Sequence, residues 1–461
     1  MYKSLSENGL TLAEIIAETH GEPHNIKNDK TAVHSICTDT RKSVLGSLFI
    51  PLSGENFNGR DFIGESFKKG AVCALTEEKL STDKPYILVK NTTAAYGNIA
   101  SSYRKKFDVK MIAVTGSVGK TTTKEAVCAV LGAKYAVCKT KANHNNEIGL
   151  PETLLGLNYC HSAAVVEMGM AAPGEISYLS KMALPDISVI TNIGTSHIEH
   201  LGSRENILMA KLEITDGMND GGTLLLNGDD DMLKSVRGTR QTRLNVGIDD
   251  KTSDFRAQNV RLSDSGVIFD LCFDGKTEKD LFFPSLGRHS VYAALFAAAS
   301  GILCGLGEEE IRAGLLSYEP VDLRQKITKK DGVVKIEDCY NASPESMRAS
   351  IDILKYLNLS RGGRAIAVLG EMKELGGYSL SLHEDVGKYA AENADALFLF
   401  GEGENVSAMA RGYSSKGTNA VLLGNDIGEA REILKRNLRG GDTVLFKASR
   451  AVKLERLSEN L

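Results

Sequence analysis

The run TGSVGKTTTKE, Thr115 to Glu125, follows an apolar β-type stretch from Val109 to Val114 and opens an amphipathic helical pattern. A strand, a tight glycine turn and a helix in that order describe a cradle for nucleotide phosphates, with backbone N–H groups and a helix N-terminus converging on phosphate oxygens. Lys120 adds a positive charge, and the Thr121 hydroxyl can ligate magnesium. Gly116, Ser117, Val118, Gly119, Lys120, Thr121 and Thr122 are therefore the candidate contacts to ATP or GTP. Val114 stands where the standard G-x-x-x-x-G-K-[ST] pattern has its first glycine, so the loop reads Thr115-Gly116-x-x-Gly119. The alternative is an ordinary Gly-rich strand-to-helix turn; Lys-Thr-Thr at a helix start after an apolar strand favours the cradle.

At 461 residues the chain exceeds what one core organises, and three domains are expected. The expected divisions are residues 1–107, 108–320 and 321–461. Short apolar runs at Ser47 to Leu52, Ala71 to Leu75 and Tyr86 to Val89 mark a small N-terminal α/β domain, followed by a helical stretch from Thr92 to Phe107. Strands at Ala163 to Val166, Ile187 to Ile190 and Thr223 to Leu226 alternate with helical segments, which builds a mostly parallel central sheet. An antiparallel hairpin region is expected from Arg256 to Phe283. Beyond Pro320, strands at Val333 to Ile336, Ala365 to Leu369, Ala396 to Phe400, Ala420 to Leu423 and Thr443 to Phe446 predict a doubly wound, Rossmann-like C-terminal domain. Its GEGEN turn at Gly401 has Val406 at the third glycine of a dinucleotide fingerprint, so it reads as a plain strand-to-helix turn.

A formal charge of −4 supplies no field for nucleic acid, which is not expected as a partner. No run approaches the roughly 20 apolar residues that span a bilayer, and the N-terminus has no basic segment leading into an apolar core. A cytoplasmic monomer without membrane contact is expected. The eight cysteines form no C-x-x-C pair, which argues against a zinc site or disulfide framework and predicts buried apolar roles.

Three further residues bear on chemistry. Glu167 ends the buried-strand pattern AAVV, where open α/β sheets place ligands, although a loop acid or helix cap would look the same. His197, in NIGTSHIEHLGS, follows the strand Ile187 to Ile190, and a metal role and a structural one are equally open. Lys211, in MAKLEI, is by spacing alone a surface lysine.

Together TGSVGKTTTKE, NHNNEIGLPETLL from Asn143, EMGM from Glu167, NIGTSHIEHLGS from Asn192 and AKLEI from Ala210 resemble the Mur ligases, ATP-dependent amide-forming enzymes of peptidoglycan precursor synthesis. EDCYNASPESM from Glu337 and VLGEMKELG from Val368 resemble the branch that adds D-alanyl-D-alanine to UDP-N-acetylmuramoyl-tripeptide, rather than the diamino-acid-adding branch with its DNPR-type motif. CTDTR from Cys37 and the run from Gly46 are similar to the family's uridine-nucleotide domain. The resemblance implies that Lys120 meets the β/γ-phosphates, that Thr121 and Glu167 hold magnesium, and that His197 serves a second magnesium. It implies that Lys211 is carbamylated, making an anion that supports the second metal. It places Arg324 at the ATP phosphates and Asp338 at the ribose, Asp39 and Arg41 at the UDP-sugar, and Asn143, Asn146 and Asn341 at the substrates. Lys447 and Ser449 match a further motif, with Ala448 in place of its glycine. The family's HNxxNA pattern, whose asparagine reaches adenine, appears here as His289-Ser290-x-x-Ala293-Ala294, so base recognition is expected to differ. Ser343 also replaces the commoner Asn of YNAN. The alternatives are a related ligase, adding a diamino acid or glutamate to a folate, and a nucleotide-driven switch or transporter subunit.

Overall fold

Alternating burial along the strand Lys110–Thr115 sends Met111 and Ala113 to one apolar layer and Ile112 and Val114 to the other. A strand covered on both faces belongs to a parallel sheet with helices above and below, and the chain builds that sheet here. The computed structural model describes residues 2–461 except 6–8, 43, 44, 55, 56, 322, 360 and 460. Glu55 and Asn56 of the Gly46 run and Asp322 of PVDLRQ thus lie outside the described residues.

The central sheet has nine strands in the order Val137–Lys139, Ala163–Glu167, Lys110–Thr115, Ile187–Ile190, Thr223–Asn227, Thr242–Gly247, Phe255–Ser263, Gly266–Phe273 and Lys276–Phe283. It is parallel through Phe255–Ser263, and the last three strands form an antiparallel meander in the expected hairpin region. Helices Lys120–Gly132, Ser290–Leu303 and Glu308–Leu316 cover one face. Thr92–Arg104, Gly149–Leu154, Glu175–Ala183 and Arg204–Leu212 cover the other. The strand order reverses between Ala163–Glu167 and Lys110–Thr115, which opens a crevice at the strands' C-terminal ends.

The N-terminal six-stranded sheet shares its apolar layer with the second group of helices, from Ile36 and Leu75 through Tyr103 to Met111. The C-terminal sheet runs Lys326–Lys330, Val333–Glu337, Thr443–Lys447, Ala365–Leu369, Ala396–Phe400 and Val421–Gly424. It is doubly wound as expected, with an antiparallel edge strand, Lys326–Lys330, that the sequence reading did not include. Gly401 and Gly403 take φ values of 120° and 100° in the plain turn before the helix Glu404–Ser414. Two cysteines depart from expectation: Cys160 is exposed and Cys138 half-buried, the other six being buried. No helix among the described residues is long and apolar enough to cross a membrane.

Candidate active site

The phosphate loop sits at the crevice because Gly116 and Gly119 turn the chain at positive φ, and Gly116 does so where a side chain would not fit. Gly116 has φ 150°, and a Cβ there would lie 1.8 Å from Thr191 Oγ1. Gly119, at φ 82°, precedes the helix Lys120–Gly132 and leaves its N-terminus without a side-chain cap. Uncapped N–H groups at a helix start favour an anion. The two preceding amides are engaged: Ser117 N donates to Asn192 O at 3.0 Å and Val118 N to Asn192 Oδ1 at 2.9 Å. The Asn192 loop thus braces the phosphate loop, leaving the residues from Gly119 onward to meet a ligand.

The loop forms one wall of a cavity of about 690 Å³ whose opposite wall comes from the C-terminal domain. Ser117 to Thr122, Asn143, Asn146, Glu167 and His197 line it from the central domain, and Arg324, Asp338 and Asn341 from the other side. Gly116, Lys211, Asp39 and Arg41 are not part of its wall.

Glu167 is 2% exposed at the end of its strand. Its carboxylate accepts from Thr121 Oγ1 and from Asn145 Nδ2, both at 2.9 Å. Arg324 Nη2 donates to the same Thr121 oxygen at 2.9 Å, and its guanidinium lies 4.3 Å over the Tyr340 ring. A single hydroxyl thus joins the helix start, the strand-end carboxylate and the C-terminal domain. Lys120 Nζ folds back to Gly116 O at 2.8 Å, and burial lowers its pKa although Glu167 opposes that shift.

His197 holds φ 64°, and its Nδ1 lies 2.6 Å from Glu374 of the VLGEMKELG run. His197 in turn holds the Glu374 carboxyl below the usual range. That pairing leaves Nε2 as the nitrogen available to a cation, the arrangement common to metal-binding histidines. Glu345 reaches across beside it, accepting from Thr195 N at 2.9 Å and Thr195 Oγ1 at 3.1 Å.

Lys211 is not a surface residue. It is 1% exposed, on the buried face of Arg204–Leu212 with Ile207, Leu208 and Ala210. Among the described residues no carboxylate lies within 4.0 Å of it, and burial, with repulsion from Lys120, drives its pKa well below the ordinary lysine value. On the far wall Asp338 accepts from Lys447 Nζ at 2.6 Å and Ser350 Oγ at 2.7 Å. Burial pushes its carboxyl up, but the Lys447 ammonium and these hydrogen bonds bring it below the usual range.

Asn146 Oδ1 accepts from Gly149 N at 3.0 Å, ahead of the helix Gly149–Leu154. Asn341 Oδ1 accepts from Ala342 N at 2.8 Å, and its carbonyl accepts from Lys447 Nζ at 3.0 Å. Asp39 and Arg41 form a bidentate pair in the N-terminal domain, with both nitrogen–oxygen distances 2.9 Å. Arg41 draws the Asp39 carboxyl down to about 2. Asn145, Glu345 and Glu374 are the site residues the sequence reading passed over. The NHNN run signalled an amide near Glu167 without saying which one, and the two acids act across a domain boundary.

An uncapped phosphate loop at a sheet's crevice, closed by an Arg and an Asp–Lys pair from a second α/β domain, defines a nucleotide-dependent enzyme with its site between domains. Residues 114–301 match the Mur ligase middle domain, and residues 324–450 the Mur ligase glutamate ligase domain. The chain belongs to the Mur ligase family. It is 37% identical to the UDP-N-acetylmuramoyl-tripeptide–D-alanyl-D-alanine ligase of Bacillus subtilis, covering 98% of this chain and 97% of that protein. It is 31% identical to the ligase of the same name from Escherichia coli, covering 97% of each. A crystal structure of MurF from Acinetobacter baumannii superposes with a TM-score of 0.90 at 29% identity, covering 98% of each chain. MurF ligase from Thermotoga maritima in complex with ADP does so at 0.81 and 28%, covering 92% of this chain and 96% of that one.

Proposed function

We propose that the chain joins D-alanyl-D-alanine to UDP-N-acetylmuramoyl-tripeptide at the expense of ATP, in peptidoglycan precursor synthesis. The observation that carries the reading is the junction at Thr121, where Glu167 and Arg324 meet one hydroxyl beside an uncapped phosphate loop. The names of the relatives supply the substrates. The chain acts in this reading as a cytoplasmic monomer, with neither nucleic acid nor membrane as partner.

A carboxylate is a poor acyl donor because its leaving group would be an oxide. An oxygen of the tripeptide's terminal carboxylate attacks the γ-phosphorus of ATP, the bond to the β-phosphate breaks, and ADP leaves an acyl phosphate. The dipeptide amine then attacks the acyl carbon, and the tetrahedral intermediate expels inorganic phosphate as the nitrogen loses its proton. Negative charge gathers on the phosphate in both steps, and Lys120, Arg324 and the helix start are placed to meet it. Closure of the Arg324 and Asp338 wall over the loop excludes water from the acyl phosphate.

Thr121 Oγ1 and Glu167 Oε2 are hard oxygen donors 2.9 Å apart, which fits magnesium, an ion that takes one or two protein ligands and completes its shell from phosphate and water. His197 would hold a second ion. Magnesium at these residues would neutralise phosphate charge. Lys211 as a carbamate, formed when its uncharged amine adds to carbon dioxide with loss of a proton, would place an anion beside Lys120. Its burial and lowered pKa support that form.

The test is phosphate release from ATP with both substrates present, compared with omission of either. Release should depend on both, and Lys120→Ala should reduce it by about 100- to 1,000-fold. Release independent of the dipeptide, or near-normal turnover by the folded variant, would refute the assignment.

A further inference from the structure

Neither residue at the two positions of the base-reading pattern is free to read a base. Ser290 is 2% exposed, and its hydroxyl donates to Leu286 O at 2.6 Å while sharing a 2.9 Å contact with Ser285 Oγ. Ala293 has no polar side-chain atom. What the same part of the cavity wall presents is Gln325. Leu323 and Gln325 adopt φ 60° and 53°, left-handed backbone that non-glycine residues rarely hold. This turn lets Arg324 reach Thr121 at the phosphates while its neighbour meets His289 on the adjoining wall.

The Gln325 amide nitrogen lies 2.9 Å from His289 Nε2, and Ser285 Oγ contacts its carbonyl oxygen at 3.5 Å. An amide nitrogen can only donate, so the His289 Nε2 that faces it accepts. That bond fixes which end of the amide is donor and which is acceptor. One N–H and the carbonyl oxygen remain for a ligand.

Resting on the reading that this cavity takes ATP, we propose that Gln325, oriented by His289, reads the purine and selects adenine over a 6-oxo purine. A carbonyl accepting from the exocyclic amine, with an N–H donating to a ring nitrogen, is the pairing that amide side chains make with adenine. Hypoxanthine or guanine would set its O6 against the Gln325 carbonyl, acceptor against acceptor. Turning the amide over would break its bond to His289. Gln325 is the specificity residue, and His289 is a positioning residue that acts through it.

Calorimetric titration of the full chain with ATP and with ITP tests this without requiring turnover. The wild type should prefer ATP by about 10- to 100-fold. Gln325→Ala should bring that ratio below about 3-fold, since the base pairing is gone. Gln325→Glu, acceptor at both oxygens, should move the preference toward ITP, whose N1–H donates; it decides alone if the alanine variant does not fold. His289→Leu should lower the ratio chiefly by admitting ITP, because the amide can then turn. Equal binding of ATP and ITP by the wild type, or an unchanged ratio in a folded Gln325 variant, overturns the proposal while leaving ATP binding intact. Failure of the wild type to bind ATP at all overturns the functional reading as well.

Discussion

Replacing Glu167 by glutamine separates a metal-holding carboxylate from a structural one, because the two roles predict opposite signs for stability and activity. The carboxylate accepts two hydrogen bonds at 2.9 Å and is 2% exposed. Bonds to a charged acceptor contribute about 1.5–3 kcal/mol each, so about 3–6 kcal/mol is at stake. Glutamine is nearly isosteric, and Asn145 can turn its own amide to complement it, remaking two neutral bonds for about 1–3 kcal/mol. The deficit of about 2–3 kcal/mol is offset by no longer holding a charge out of water, a penalty of several kcal/mol per ion. Folding stability of Glu167→Gln should therefore stay within about 1 kcal/mol of the wild type, and the midpoint of thermal unfolding within about 4 °C. Turnover should fall by about 100- to 1,000-fold, and the magnesium dependence of ATP binding, read by calorimetry, should weaken. Turnover within tenfold of wild type would refute the assignment. A large loss of stability with activity tracking the folded fraction would show that Glu167 only braces the strand end.

Lys211→Ala should be inactive and regain part of its turnover in formate or acetate; absence of rescue, with a wild-type intact mass lacking a carboxyl increment at ordinary bicarbonate, refutes the carbamate. Gly116→Ala should abolish nucleotide binding, because its Cβ would lie 1.8 Å from Thr191 Oγ1. Gly119→Ala meets no atom within 4 Å and carries only the strain of φ 82°, about 1–2 kcal/mol, so it should bind ATP with modest loss; equal calorimetric effects would refute the geometry. The Asp39 carboxyl, drawn down by Arg41 to about 2, contributes stability that is complete above the unfolded value near 3.9 and is lost as pH falls through about 2. Carboxyl NMR titration should show Asp39 ionised at pH 3 in the wild type and largely protonated in Arg41→Ala; identical titrations would remove the pairing.

Strands buried on both faces were the most legible elements. Ile187–Ile190, Ala365–Leu369 and Ala396–Phe400 fall at their expected bounds because short, mostly apolar runs leave little ambiguity. Lys326–Lys330, KITKK, was hidden because an edge strand carries charge on its open side. Its signal was the following Asp331-Gly332, both at positive φ in a tight hairpin turn. Lys211 read as surface because spacing reports a helix's period and not which neighbours cover it. Thr121 was legible from its place after the loop lysine, and Glu167 as a strand-end acid whose magnesium role came only from the family resemblance. Glu345 and Glu374 were not, because their partners lie in another domain: Thr195 and Glu345 are 150 residues apart.

Those distant partners determine how the site works. Besides the Gln325 contacts to His289 and Ser285, the C-terminal domain reaches across from Arg324 to Thr121, from Glu345 to Thr195 and from Glu374 to His197. The last three end at the start of the phosphate-loop helix or on the segment after Ile187–Ile190, so domain position is read at the residues that would hold phosphate and metal. An exposed polar contact such as Glu345 to Thr195 is worth about 0–1 kcal/mol. One of the contacts competes with catalysis: Thr121 Oγ1 cannot serve Arg324 unchanged while also binding a cation, whereas His197 keeps Nε2 for a cation beside its Glu374 pairing. Nucleotide and magnesium would thus exchange protein contacts for ligand contacts at the same atoms, with Arg324 passing from a hydroxyl to a phosphate. Closure around the ligand then follows from substituting stronger charge pairs for weaker ones along a surface already in register.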